Sequence, residues 1–171
     1  MKTYNKYALA AALMLTLTTS AQTVRADENL TQVKVTFVDG TSPDGKEGAR
    51  LVADGHKWTK WCLDEPEKMP YQVTLDAGTP TAIKGYALTT GDDASTYPTR
   101  NPISWNIYGS NDRKDWHVVE KVTYNRDLDA NNEQTYTFGV KDCKAWRYYK
   151  LEFTRMPEGT RMQLAEIELY K

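Results

Sequence analysis

Histidine and cysteine are nearly absent from this chain of 171 residues, which carries two of each. The histidines are His56 and His117, and neither neighbours a cysteine in a recognisable nucleophile pair. No zinc-ligand spacing, phosphate-cradling glycine loop or nucleophile elbow is present. Charge of one sign is also missing: 22 Lys and Arg stand against 23 Asp and Glu, interspersed along the chain. Without a basic stripe there is nothing to neutralise a run of phosphates, so nucleic acid is excluded as a partner. No low-complexity block and no internal repeat is visible. The one sustained apolar run, Tyr7 to Leu17, is about half the ~20 residues a membrane-spanning helix needs, so no transmembrane segment is expected.

That run belongs to a three-part leader. Met1-Lys2 and Lys6 supply positive charge, and small residues follow the apolar stretch. Cleavage is expected after Ala21 or Ala26, which makes residues 1–26 a secretory signal peptide. No cysteine sits at the cleavage region to take a lipid anchor. The mature protein is therefore expected to be secreted, periplasmic or at the cell surface. About 145 residues remain, 27–171, which suits one domain with one core. In an oxidising compartment Cys62 and Cys143 either form a disulfide or stay as two small apolar thiols. Sequence supplies no Cα separation to choose between them.

The mature region alternates with period two. Val33, Val35 and Phe37 form one such set, Tyr71, Val73 and Leu75 a second, Trp105 and Ile107 a third. Tyr149, Leu151 and Phe153, then Ala165, Ile167 and Leu169, complete the pattern. One apolar face per strand is what two sheets packed face to face require. Turn chemistry separates the runs: Asp39-Gly, Pro43-Asp-Gly, Asp76-Ala-Gly, Gly91-Asp-Asp, Gly109-Ser-Asn-Asp and Pro157-Glu-Gly. A helical turn is expected within 45–53. The fold class is all-β, a sandwich or barrel.

The stretch Asp54-Gly-His-Lys-Trp-Thr-Lys-Trp61 has D-G-x-x-x-T-x-W spacing. Asp and Thr oxygens are hard ligands, and Gly55 permits a tight turn that aims carbonyls inward, as in a loop wrapping Ca²⁺. The segment Gln163-Leu-Ala-Glu-Ile-Glu-Leu-Tyr170 can return a second carboxylate to the same corner. The plainer reading is an Asx-type turn, with Asp54 capping backbone N–H groups and no ion.

With the run from Gly85 to Asp112 and Arg147-Tyr-Tyr-Lys-Leu-Glu-Phe, these segments resemble the discoidin family, also called coagulation-factor C-type domains. Among its branches the chain is most similar to bacterial carbohydrate-binding modules of the galactose-binding fold. The resemblance spans most of the mature chain. It implies an eight-stranded jelly-roll β-sandwich with ligand loops at one end. It also implies a structural calcium ion held by the side chains of Asp54, Thr59 and Glu166 and by backbone carbonyls near Arg50, His56 and Ala165. His56 stands where many relatives carry Asp or Asn, so only its carbonyl remains for that role.

A sugar site needs a flat apolar face and polar groups that read hydroxyls. Of the five tryptophans, Trp61 and Trp105 fall in strand motifs and are expected in the core. Tyr97, in the turn-rich Ser95-Thr-Tyr-Pro-Thr-Arg-Asn-Pro, is the first candidate platform; Trp58 and Tyr124 are others. Asp93 and Arg100 can make directed bonds to vicinal hydroxyls, or simply lock the loop as an ion pair. The His–Arg–Asn and aromatic set of well-defined galactose binders has no complete match here, so galactose is not assumed. The acidic pairs do not form a glycosidase site. Asp92 and Asp93, read as neighbours on a strand, point to opposite faces; Glu166 is committed to the ion; and Asp64-Glu65-Pro-Glu67 has no partner motif. The expected function is non-catalytic glycan binding, with a protein- or surface-interaction role on the same fold as the alternative.

Overall fold

The computed structural model describes residues 30–42, 46–141 and 143–171. The expected leader and the Pro43-Asp-Gly turn lie outside them. Among the described residues eleven strands run in chain order: β1 Gln32–Val33, β2 Thr36–Gly40, β3 Trp61–Leu63, β4 Tyr71–Thr81, β5 Gly85–Thr89, β6 Ser104–Ser110, β7 His117–Val122, β8 Thr135–Gly139, β9 Trp146–Arg155, β10 Met162–Leu164 and β11 Glu166–Tyr170. They form a five-stranded sheet, β2-β4-β9-β6-β7, a four-stranded sheet, β1-β11-β5-β8, and a small pair, β10-β3. All pairings are antiparallel. The count exceeds the expected eight because β1, β3 and β10 are only two or three residues long. The remaining eight make the all-β sandwich. The expected helical turn is a short 3-10 turn at Ala49–Ala53.

The period-two sets face inward as their spacing required. Tyr71, Val73, Leu75, Trp105, Ile107, Tyr149, Leu151 and Phe153 of the large sheet are buried, as are Ile167 and Leu169 of β11 opposite them. Each such side chain contributes about 1.5–3 kcal/mol by leaving water. The inner layer is held by rings as well as by area. Tyr86 stacks on Phe138 at 5.1 Å, and Trp105 meets Phe138 edge-on at 5.4 Å. Trp105 Nε1 donates to Tyr86 Oη at 2.9 Å, which joins β6 to β5 across the sandwich. Burial, aided by the nearby Glu120 carboxylate, pushes the Tyr86 phenol far above its ordinary pKa, so it stays a neutral hydroxyl.

Two turn assignments change. Asp76-Ala-Gly does not end its strand: β4 runs on to Thr81 through an irregularity, with Gly78 at φ 77° and its N–H donating to Asp76 Oδ1 at 2.7 Å. Gly109 is likewise inside β6, where the Trp146 indole packs directly on it. Cys62 and Cys143 are free thiols. They sit in different surroundings, Cys62 opposite Gln163 in the small pair and Cys143 beside Tyr149.

A Cβ at Gly109 would lie 2.1 Å from the Trp146 ring. Gly109→Ala is therefore expected to lose about 1–3 kcal/mol of stability by overpacking, measured by urea denaturation. An unchanged midpoint would mean that the indole moves aside freely.

Candidate loop-end binding site

One end of the sandwich collects the loops after β2, β5 and β7 together with the β10–β11 junction. The β2–β3 loop is fixed there by its own polar groups. Thr59 Oγ1 donates toward both Asp54 oxygens, at 3.1 and 2.9 Å, and lies 2.8 Å from the His56 carbonyl. The His56 N–H reaches Asp54 Oδ1 at 2.9 Å and Glu166 Oε1 at 2.8 Å. Gly55 takes φ 80°, the left-handed turn that only glycine adopts without strain. Glu166 opens β11 directly after Ala165, and Arg50 lies in the 3-10 turn before Asp54. Thus the loop and the last strand meet although 110 residues separate His56 from Glu166.

That meeting sets two carboxylates against one another. Burial, then the Asp54 carboxylate alongside, pushes Glu166 up to about 7 against the opposing N–H groups of His56 and Gly55. Among the described residues no group of three His, Cys, Asp or Glu side chains converges as a metal site. The oxygens gathered here are of another kind: carboxylates, a hydroxyl and a carbonyl. That donor set is hard and net negative, and it fits Ca²⁺ rather than zinc.

The next residue carries the arrangement outward. Lys60 Nζ lies 2.9 Å from Asp92 Oδ1 and 2.7 Å from Asp93 Oδ2. Burial works to lower the Lys60 pKa, but its bonds to Asp93 and Asp92 prevail and hold it above its usual value. Asp92 and Asp93 thus belong to a turn, not a strand, and converge on one ammonium, contrary to the expectation that they diverge. Asp93 Oδ2 is also 3.8 Å from Arg100, whose guanidinium lies 3.5 Å from the centre of the Tyr97 ring. Polar contacts thus join Glu166, Asp54 and Thr59 in one group, and Lys60, the next residue in the chain, joins Asp93, Arg100 and Tyr97 in a second.

Tyr97 remains 42% exposed, with Arg100 covering one face. Beneath this loop Asp93 Oδ1, Asn101 Oδ1 and both side-chain amide atoms of Gln163 are buried with no protein partner. Buried polar atoms are ordinarily satisfied, so the region holds hydrogen-bonding capacity in reserve. Trp58 and Tyr124 are exposed. Trp58 packs edge-on to His56 at 4.6 Å, and Tyr124 Oη accepts from Arg155 at 2.7 Å. Lys60 and Gln163 escaped the sequence reading. A lone lysine or glutamine carries no spacing signal, and only tertiary contact gives either a role.

A family model described as "F5/8 type C domain" matches residues 30–167. The chain belongs to the F5/8 type C domain family. Three solved structures show how far the fold of this F5/8 type C domain is shared. A family 32 carbohydrate-binding module of Clostridium perfringens NanJ, solved in complex with galactose, is similar at 18% identity over 83% of this chain and 99% of that one, TM-score 0.65. A putative chitobiase fragment from Bacteroides thetaiotaomicron is similar at 17% identity over 86% and 95%, TM-score 0.66. The C-terminal domain of a chitobiase from Bacteroides fragilis is similar at 20% identity over 82% and 96%, TM-score 0.63. No curated protein matches the chain. Among the described residues no helix is long and apolar enough to cross a membrane.

The raised Glu166 pKa has a defined sign. A carboxyl whose folded pKa exceeds its unfolded value favours the fold while protonated, and that contribution disappears as pH rises through about 7. In EDTA the domain is expected to melt at a lower temperature at pH 8 than at pH 5.5, and Glu166→Gln is expected to reduce that difference. A Glu166→Gln protein with the same pH dependence as wild type would place the titrating group elsewhere.

Proposed function

We propose that this F5/8 type C domain is a non-catalytic carbohydrate-binding module that recognises extracellular or cell-surface glycans through the loop end. The observation that carries this reading is Tyr97: a half-open aromatic face, backed by the Arg100 guanidinium, beside Asp93 and Lys60. An aromatic face flanked by fixed charged donors and acceptors suits the C–H face and hydroxyls of a pyranose. The galactose complex of the similar Clostridium perfringens module supports the ligand class, not the particular sugar. Trp58 and Tyr124 are secondary contacts, reached only by a ligand longer than one ring.

In the same reading Asp54, Thr59 and Glu166 hold a structural Ca²⁺ with the carbonyl of His56, and backbone carbonyls near Arg50 and Ala165 complete the set. The ion would neutralise the facing carboxylates and tie the β2–β3 loop to β11. Lys60 is the next residue after Thr59, so that tie also sets the position of Asp93 and, through it, Arg100. The carboxylates weighed as catalytic pairs have other duties: Asp64 engages Thr160 and Arg161, and Asp92 with Asp93 engages Lys60.

A glycan array with and without EDTA tests both halves. Selective, saturable binding is expected, with Tyr97→Ala abolishing retention while the melting temperature stays unchanged. A blank array from folded protein would overturn the glycan reading in favour of a protein partner. Added Ca²⁺ is expected to raise the melting temperature of the wild type and not of Asp54→Ala. Equal response in both would remove the ion from this loop.

A further inference from the structure

The outer face of the large sheet carries a second constellation, remote from the loop end. Its β6–β7 turn, residues 111–116, borders an open cleft of about 380 Å³ on the strands. Gln72 and Thr74 of β4 and Lys150 of β9 line it, as do Arg113, Lys114 and Trp116 of the turn. Lys150 Nζ lies 4.7 Å from the Trp116 ring and 5.0 Å from the Tyr108 ring, so its ammonium is held between two aromatic groups. Arg113 is placed by a left-handed backbone, φ 60°, 5.5 Å over Tyr148.

Charge decides the kind of ligand. Three cationic side chains line the cleft, and two carboxylates, Asp39 and Asp112, line it with them. Asp112 is bound to the turn and keeps its charge, so the lining is positive by only one. Its Oδ1 accepts from the Lys114 and Asp115 N–H groups at 2.8 and 3.0 Å and from Ser110 Oγ at 3.0 Å, and these bonds hold its carboxyl below its usual range. The nearby Arg147 differs from the lining cations: Asp76 neutralises it through two bonds, at 3.0 and 2.9 Å. The cleft thus combines an aromatic group, amide and hydroxyl groups from a rigid strand, and an excess of positive charge.

We propose that this cleft is a second saccharide site, selective for sugar residues that bear a carboxylate. The acid group sits against Lys150 and Arg113, the sugar ring lies beside the Trp116–Lys150 pair, and Gln72 addresses a hydroxyl, with Thr74 buried beneath. Charge-assisted bonds to a carboxylate are stronger than bonds to a neutral group, so acidic sugars are expected to bind about tenfold more tightly than neutral ones. The site does not depend on Tyr97, and it stands or falls separately from the loop-end reading.

The test is titration of the wild-type chain with tri-galacturonate and with a neutral galactose trimer, followed by amide chemical shifts. Saturable shifts on β4, β9 and residues 111–116 are expected with the acidic trimer only. Lys150→Met keeps the aliphatic stem and is expected to weaken binding about tenfold. Arg113→Gln checks the same charge from the turn, and Lys150→Arg is expected to restore most of the affinity. Tyr97→Ala should leave this titration unchanged. Absence of saturable shifts, equal binding of the neutral trimer, indifference to both charge-removing variants, or loss of binding in Tyr97→Ala would each overturn the proposal.

Discussion

Two sheets lined with aromatic side chains must close on each other without stranding a polar atom, and here the critical meeting is Trp105 with Tyr86. The indole N–H and the phenol are fully buried, so each needs a partner in the opposite sheet. Their bond fixes how β6 lies against β5. Because the ends of these two strands bracket the 90–103 loop, it also fixes where that loop begins and ends. The position of Tyr97 and Arg100 is therefore inherited from the core. Much the same holds at Thr89, where β5 pairs with Glu166 on one side and Thr135 on the other.

The loop end is organised around charge rather than area. Glu166 and Asp54 repel, and the fold brings them together all the same, with an N–H of the loop shared between them. Such a pair is a source of instability when bare and of cohesion when a cation lies between. Lys60 solves the neighbouring problem locally, bridging Asp92 and Asp93 with a single ammonium. The proposed ligand surface is the outer rim of this charged cluster, whose inner end is the start of the last strand.

The fold was legible where one face of a strand is solvated. Tyr71-Val73-Leu75 and Tyr149-Leu151-Phe153 announced themselves by alternation. β5 did not, since all its residues from Gly85 to Thr89 are buried and no period survives. Glycine misled twice, because turn chemistry and close packing use the same residue: Gly109 makes room for Trp146, and Gly78 sits within β4. At the site, the loop of Asp54 and Thr59 could be read from residue type and spacing, and its contact with Glu166 was implied by the family resemblance. The convergence of Asp92 with Asp93 on Lys60 could not, because no spacing rule ties a lone lysine to a turn 32 residues away. Gln163 was invisible for a simpler reason: its burial against Gly91 is a tertiary fact.

The hydrogen bonds that close the first strand onto the last have a mechanical consequence. Thr31 and Lys171 exchange N–H···O bonds at 3.0 and 2.9 Å, at the end of β11 away from Glu166. Tension applied between those two residues would open β1 from β11 one rung at a time, like a zipper, and β1 offers few rungs. Tension between a ligand held at the loops and either of those residues would instead run along the strands and load many rungs at once. A domain pulled in that second way resists as a sheet in shear.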